Sequence, residues 1–258
     1  MKKYTLTLIL ALASLGLYAQ TNRNKTIINA ALHGWEYEIK AGVNLGGTAP
    51  LPFPEEIRSI DGYNPTLSIT IEGNMTKWLD AKKKWGVITG LRLENKGMRT
   101  KATVKNYNME IIGYDGNRLK GNWTGGVRTK VQNSYITIPV LAAYKLSPRT
   151  TLKLGPYFSY LMDGDFSGHV YEGYLRENNP TGDKINFTNG AIATYDFSGD
   201  LRKFQWGVQA GVDWKAFKHL KVHADLNWGL NDIFNKDFKT VTFDMYAIYL
   251  NVGFGYAF

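Results

Sequence analysis

The sequence contains no cysteine in its 258 residues, which excludes disulfide bonds and thiolate metal sites. It has no apolar run of about 18 residues beyond the N-terminus, which excludes a bundle of transmembrane helices. Only eight prolines and many aromatic residues argue against disorder. The chain is instead rich in Tyr (16), Phe (12) and Trp (7), which are typical of strands and of contact with a membrane interface.

The first twenty residues have the pattern of a secretory signal peptide. Lys2 and Lys3 precede an apolar stretch over 4–17, and the next residues offer cleavage after Ala19 or Gln20. A buried first helix is the alternative interpretation. Removal of the signal lowers the formal net charge of +9 by two. Export argues against nucleic acid as a partner, and an anionic membrane surface suits the remaining positive charge better.

Most of the remaining chain alternates apolar and polar residues. Residues 35–45, for example, place Trp, Tyr, Ile and Val on one face and Glu, Lys and Asn on the other. This is a strand pattern, because successive side chains of a strand point to opposite sides of the sheet. The pattern does not determine the register of the segment 135–144, because this segment is apolar on both faces and contains Pro139. The alternation predicts eight strands, at about 33–45, 66–76, 84–96, 131–144, 151–162, 203–214, 219–230 and 241–258.

The connections between these strands alternate in length. Those at 77–83, 145–150 and 215–218 are short, and three others are long, at 46–65, 97–130 and 163–202. Such alternation in an even-numbered meander is typical of outer-membrane barrels. We therefore predict an all-β fold: a closed antiparallel up-and-down transmembrane barrel of eight strands, with short periplasmic turns, long extracellular loops and both termini in the periplasm. Sheet is also expected to extend past the outer surface, around 102–114.

A soluble lipocalin-like barrel would show the same alternation, with its apolar face inward. Aromatic residues near the predicted turns favour the membrane protein, because amphipathic rings gather at headgroup level. The last strand is aromatic to its end and resembles the signal by which the barrel-assembly machinery recognises its clients. The predicted girdle and C-terminal signal comprise Trp35, Tyr37, Trp85, Tyr144, Trp214, Phe254, Tyr256 and Phe258.

Five short motifs carry a resemblance to a known family. They lie at 42–47, 90–97, 135–141, 154–157 and 253–258, and the last reads GFGYAF. The chain resembles the small barrels of Bacteroidota that are grouped as PorT-like, or outer-membrane β-barrel domain, proteins of the wider porin class. The resemblance implies one barrel domain over 20–258 with a short periplasmic segment at 20–32, following a signal peptide at 1–19. It implies an outer-membrane location in a Gram-negative bacterium, while the namesake's role in protein secretion does not carry over, since no residue here matches a known functional one.

The inward face of the predicted barrel carries charges of both signs. An eight-stranded barrel is about wide enough for side chains to fill it. The predicted network therefore closes the lumen by ion pairs, and a narrow ion path is the alternative. The members of the predicted charge network are Glu36, Glu38, Lys40, Glu72, Arg92, Glu94, Lys153, Lys203, Asp213, Lys221, His223 and Asp225.

Two of the predicted loops differ in charge. The loop at 163–202 is acidic, while the loop at 98–130 is basic and could clamp the phosphates of lipopolysaccharide, since Arg and Lys suit anionic groups. Two solvated loops are the alternative interpretation. The candidate lipopolysaccharide-binding residues are Arg99, Lys101, Lys105, Arg118, Lys120, Arg128 and Lys130.

Candidates for an enzymatic site are few. His223 and Asp225 share a strand face, but no serine lies beside them to complete a hydrolase set. Asp163 and Asp165 are spaced as two ligands of a calcium-binding loop would be, but the rest of that loop pattern is missing, so they are only a weak indication of a calcium site. We find no cofactor motif and expect neither cofactor nor metal. The sequence favours a non-enzymatic barrel whose partners are outer-membrane lipid, lipopolysaccharide and a surface protein or glycan. A small-solute or ion channel is the alternative, and an enzyme that modifies lipid A or cleaves peptides is a distant one.

Overall fold

The computed structural model describes residues 34–113 and 116–258. The predicted signal peptide at 1–19 and the segment at 20–32 lie outside the described residues. Within the described residues there are ten strands and one 3-10 helical turn, Ser198–Asp200. The strands are β1 (Trp35–Pro50), β2 (Ile57–Pro65), β3 (Ile69–Trp78), β4 (Trp85–Ile112), β5 (Arg118–Lys145), β6 (Thr150–Glu177), β7 (Lys184–Asp196), β8 (Phe204–Lys215), β9 (Leu220–Gly229) and β10 (Met245–Ala257). No helix in the described part of the chain is long and apolar enough to cross a membrane.

Eight of the strands form a closed antiparallel ring. The ring runs β1-β3-β4-β5-β6-β8-β9-β10, and β10 returns to pair with β1. The closing pair is in unbroken register from Glu38 opposite Ala257 to Pro50 opposite Met245. Closure leaves the ring without an unpaired edge, so each backbone amide along it can bond to a neighbouring strand. The predicted all-β, up-and-down barrel is confirmed.

The connections predicted as long loops are largely paired strand. β4 and β5 form one hairpin of 28 residues a side, and β6 is equally long. β7 pairs with β6 along most of its length, and β2 pairs with β4 from Ile57 opposite Val104 to Pro65 opposite Met98. The sheet expected around 102–114 is present, since β4 continues to Ile112. The rest of this pairing is not predicted, because irregularities interrupt the alternation. A bulge follows Val104, where Asn106 has a φ of +56°, and the change in register shifts the period of the pattern.

The uncertain segment around Pro139 belongs to β5. Its pairing with β4 stops at Val140 and resumes at Thr137, so the proline lies where the ladder of hydrogen bonds is interrupted. On the other side Pro139 lies opposite Tyr157 of β6. A proline lacks the backbone donor, and this gap is the place in a central strand that accommodates it.

The outer surface of the eight-stranded ring is apolar. Isoleucine, leucine, valine and phenylalanine side chains from every strand of the ring are exposed there, at alternate positions. A continuous exposed apolar band is expected when the surrounding phase is hydrocarbon rather than water. Representative members are Ile39, Leu45, Ile69, Ile71, Leu91, Leu93, Ile138, Val140, Leu154, Phe158, Val208, Leu226 and Leu250.

The interior has two layers. Toward the short turns it is polar and charged, whereas toward the long hairpins it is a hydrophobic core that includes Trp123, Phe166 and Tyr195. Residues 230–244, between β9 and β10, fold inward over this core. Phe234 there is buried and forms a β-bridge with Leu201. Alternation does not predict the apolar layer, because most of its residues come from segments predicted as loops.

A charge on the outer band tests the orientation of the barrel faces. Leu91 lies near the middle of the part of β4 that pairs with β3, Gly86–Glu94, and its side chain is about half exposed on the outer band. We expect Leu91→Arg to lower the free energy of unfolding in lipid bilayers by about 2–4 kcal/mol, because an arginine at mid-depth is poorly solvated. The measurement is a urea titration of the refolded protein followed by tryptophan fluorescence.

The matched control is Ile60→Arg on β2, which is exposed to a similar degree but lies outside the ring. It should change the free energy of unfolding by no more than about 0.5 kcal/mol. Equal effects of the two substitutions would contradict a lipid-facing surface at Leu91.

Candidate functional site

Arg92 of β4 is the centre of the interior network. Its side chain is fully buried, and it donates from Nε to the carboxylate of Glu72 on β3. Nη2 donates to Gln209 Oε1 at 2.7 Å and Nη1 to Asn227 Oδ1 at 3.1 Å. The guanidinium thus reaches across the lumen from β4 to β8 and β9. A planar cation with several donors suits this position, since each donor meets an acceptor from a different wall.

Glu94 lies one step along the same inward face of β4. Thr137 Oγ1 donates to it at 2.7 Å, and Lys96 Nζ lies 3.1 Å from its Oε1. The ammonium of Lys96 is also within 5.2–5.9 Å of the ring centres of three tyrosines, Tyr135, Tyr157 and Tyr249. Lys96 was missed by sequence reasoning, although its position two residues after Glu94 continues the inward alternation. It marks the boundary between the charged and the hydrophobic layers.

A second ion cluster lies nearer the short turns. Lys153 of β6 contacts Asp213 at 2.6 Å and Asp225 at 2.7 Å, and Lys40 of β1 contacts Asp213 at 3.1 Å. All four side chains are buried. β1, β6, β8 and β9 thereby meet through charged atoms across the lumen. Lys221 extends the cluster toward the mouth and contacts Glu38 at 3.0 Å.

Two predicted members of the network lie elsewhere. Glu36 is only partly buried and pairs with Lys83 at 3.2 Å, at the rim of the barrel. Lys203 is exposed and precedes β8, so the structure does not place it in the lumen. The strand begins one residue later than the sequence pattern indicates, and Lys203 belongs to the connection from Ser198–Asp200.

The interior charges are nearly balanced. Five acids, Glu38, Glu72, Glu94, Asp213 and Asp225, are buried there. Four buried bases and the partly buried Lys221 oppose them. Burying an unpaired charge is costly, whereas pairing it within hydrogen-bonding distance recovers much of that cost. The lumen at this level therefore contains compensated ion pairs and amides.

The candidate catalytic pair is not assembled. His223 Nε2 lies 2.8 Å from Asn251 Oδ1, whereas Asp225 is bound by Lys153. The two side chains thus have separate partners. Asp165 of the weak calcium signal pairs with Lys130 at 2.5 Å and accepts from Ser167. Among the described residues, no group of three or more His, Asp or Glu side chains is arranged to hold a metal ion.

The seven basic candidates lie on the β4–β5 hairpin rather than in an irregular loop. Arg118 pairs with Glu110 at 2.9 Å, and Lys130 with Asp165. Arg99, Lys101 and Arg128 line a concave region of about 1,020 Å³ with Lys130 and His169. The remaining two, Lys105 and Lys120, lie away from this region, and Lys120 lines a neighbouring cavity with Arg118. We call the residues around the larger cavity (Arg99, Lys101, Arg128, Lys130 and His169) the basic face.

The cations of the basic face gather because neighbouring strands are in register. Lys101 lies opposite Arg128, which lies opposite His169 of β6. Lys101 Nζ and the Arg128 guanidinium lie 5.6 and 5.3 Å from the ring centre of Tyr171. A tyrosine face stabilises such cations in the absence of a carboxylate. Within the described ranges, no carboxylate lies within 4 Å of Arg99, Lys101 or Arg128.

The predicted girdle residues cluster at the short-turn end. Trp85 and Tyr144, paired across β4 and β5, have ring centres 4.5 Å apart. Tyr256 packs on both His219 and Phe258, at 5.4 and 5.2 Å. Most of these rings are exposed on the outer surface; Trp35 and Tyr144 are half-buried, and Phe254 lies further along β10.

Comparison with known proteins gives one family match. The profile of the family described as "Outer membrane protein beta-barrel domain" matches residues 18–235. This range covers most of the chain and nine of the ten strands. No curated protein sequence matches the chain.

The solved structures that match the chain are only distantly similar to it. Ail, the attachment invasion locus protein of Yersinia pestis, in complex with the heparin analogue sucrose octasulfate, is 11% identical with a TM-score of 0.38; the match covers 87% of this chain and 97% of that chain. OprG of Pseudomonas aeruginosa is 11% identical with a TM-score of 0.31, over 88% and 97%. Neisserial surface protein A is 9% identical with a TM-score of 0.31, over 87% and 97%.

Removal of the central cation tests how much the barrel depends on the network. We expect Arg92→Ala to lower the free energy of unfolding by about 3–5 kcal/mol, because Glu72 and Glu94 lose a buried partner. The measurement is equilibrium unfolding in urea, checked by the temperature at which the folded band disappears on a gel. The control is Glu36→Gln at the half-exposed rim pair, for which the loss should be below about 1 kcal/mol. Equal losses in both variants would contradict the central position of Arg92.

Proposed function

Since the chain belongs to the family of outer membrane protein beta-barrel domains, we propose that it is a non-enzymatic outer-membrane protein with a closed lumen and a polyanion-binding outer surface. The observation that carries this proposal is the compensated charge network centred on Arg92. Its side chains join opposite walls of the barrel by direct contacts. A solute path would need continuous space along the axis, and these contacts occupy it.

The second layer of the interior supports the same conclusion. Above the ion pairs, the apolar side chains around Trp123 and Phe166 fill the space enclosed by the long hairpins. The inward fold of 230–244 adds Ile233 and Phe234 to this core. An ion entering from that end would meet hydrophobic packing, where its loss of hydration is unfavourable. Two different barriers in series support a plug rather than a pore.

The proposed ligand of the outer surface is the phosphate of lipopolysaccharide. Arg99, Lys101 and Arg128 support this because they lie together beside a broad concave region, and no carboxylate of the described residues, including Asp196 of the same region, lies within 4 Å of them. Arginine and lysine bind phosphate oxygens by charge-assisted hydrogen bonds, and arginine can do so with two donors at once. A sulfated or acidic surface glycan shares this chemistry, and a surface protein would bind through the same hairpins.

The orientation of the barrel is part of the proposal. We place the short turns and both termini in the periplasm and the long hairpins outside, as the lengths of the connections favour. The aromatic girdle would then lie at the periplasmic interface of the outer membrane. Biogenesis of the barrel would require the barrel-assembly machinery. Placement among PorT-like barrels of Bacteroidota remains a proposal that rests on the five short motifs.

Conductance in planar bilayers tests the closed lumen. We expect the purified wild-type protein to give no steady current, because ion pairs and apolar packing obstruct the axis in turn. A variant with Arg92→Ala and Lys153→Ala should show more frequent brief openings, since both ion clusters lose their central cation. A large, steady current from the wild-type protein would contradict a plug and favour the small-solute or ion channel.

Charge reversal tests the outer ligand. We expect Arg99→Glu with Lys101→Glu and Arg128→Glu to reduce the lipopolysaccharide retained by the purified protein roughly tenfold, because three phosphate-binding cations are lost. The measurement is phosphate and sugar content after detergent extraction and washing. The control reverses three exposed lysines that line neither the basic face nor the cavity at the short turns, Lys82, Lys84 and Lys236, and changes the total charge equally. Similar retention by both variants and the wild-type protein would exclude the basic face as the ligand site.

A further inference from the structure

The short-turn end of the barrel carries a cavity that the proposed function does not use. It has a volume of about 290 Å³ and opens at the rim, between the turns. Its floor is Asp213 of the lower ion cluster, and two of its walls are Trp35 and Trp78. Six cationic side chains surround it: Lys83, Lys145, Arg149, Lys215, Lys218 and Lys221.

Hydrogen bonds between neighbouring turns bring these cations together. The Lys145 amide donates to the Lys84 carbonyl at 2.9 Å, and the Lys215 amide donates to the Arg149 carbonyl at 2.7 Å. Arg149 belongs to the β5–β6 turn, and Lys218 to the β8–β9 turn. The cations therefore come from turns that are far apart in sequence but adjacent around the ring. Charges fixed by separate backbone segments stay together although they repel one another.

The acidic side chains of the cavity are already engaged. Glu36 pairs with Lys83, and Asp213 pairs with Lys40 and Lys153 beneath the floor. Lys221 is bound to Glu38. In the described part of the chain, Arg149, Lys215 and Lys218 have no carboxylate within 4 Å. A concave site with three such cations has a positive potential that an anion would relieve.

Lys145 adds a further feature. Its ammonium lies 4.6 Å from the centre of the Trp78 ring, at the cavity wall. The indole face holds this cation in the absence of a carboxylate, and it leaves the ammonium donors available to a ligand. The cavity thus combines several lysines, one arginine and an aromatic wall.

We propose that this cavity is a phosphate-binding site at the short-turn end, formed chiefly by Arg149, Lys215 and Lys218 with Lys145. A phosphate group suits it because its several oxygens and multiple charge can engage donors from different turns at once. Two sources share this chemistry: a soluble phosphate compound, and the headgroup of a phospholipid in the adjacent leaflet. The inference does not depend on a closed lumen or on the basic face.

Calorimetric titration of the full chain in a nonionic detergent at low ionic strength tests the site. The probes are inorganic pyrophosphate and dihexanoyl phosphatidylglycerol, the latter kept monomeric. We expect Arg149→Gln with Lys215→Gln and Lys218→Gln to weaken binding of the effective probe at least about tenfold. The matched control is Lys82→Gln with Lys84→Gln and Lys236→Gln, which removes the same charge from exposed positions outside both proposed anion sites and should change the affinity less than about twofold. A heat-modifiable band on a gel checks that both variants are folded.

The outcomes separate the interpretations. Binding of pyrophosphate that only the turn variant weakens supports a soluble ligand, whereas the same behaviour with phosphatidylglycerol alone supports a lipid headgroup. Equal weakening in both variants would reveal diffuse attraction to a basic protein and overturn the proposal. Failure of the wild-type protein to bind either probe would also overturn it. Neither result would bear on the conductance or lipopolysaccharide experiments, which concern other parts of the barrel.

Discussion

The structure depends on keeping ionised groups inside a closed sheet whose outside is apolar. Once eight strands form a ring, every second side chain points into a narrow interior, so a charge there has to be paired locally. Arg92 meets this requirement through acceptors from β3, β8 and β9, and Lys153 meets it through Asp213 and Asp225. The ion clusters therefore tie together walls of the barrel that have no backbone pairing with each other.

Because of this arrangement, the surfaces that can bind a ligand lie at the two ends of the barrel. The middle of the barrel is occupied by satisfied charges and, above them, by apolar packing. Among the described residues, two groups of cations with no carboxylate within 4 Å lie outside that filled space: Arg99, Lys101 and Arg128 on the long hairpins, and Arg149, Lys215 and Lys218 on the short turns. The two ends thus have the same sign of charge, although they face different phases in the orientation proposed here.

The sequence predicts the barrel well where the alternation is unbroken. β3, β8 and β9 lie close to their predicted limits, and the inward acids and bases are read directly from the period of two. The prediction weakens at bulges. After Asn106, with its positive φ, the period shifts, and the sequence pattern divides the hairpin of 28 residues a side into two strands and a connection in which sheet is expected only around 102–114. Lys203 was assigned to the lumen because the start of β8 was placed one residue early.

The sequence by itself determined the class of fold and which side chains share a face, because the side-chain period of a strand is a local property. Only the tertiary structure decided which charges meet across the lumen, since Lys40 and Asp213 are brought together by closure of the ring. The basic face and the cavity at the short turns were decided in the same way. Their cations belong to different hairpins, and strand register and turn-to-turn hydrogen bonds, which no local pattern encodes, bring them within reach of one ligand.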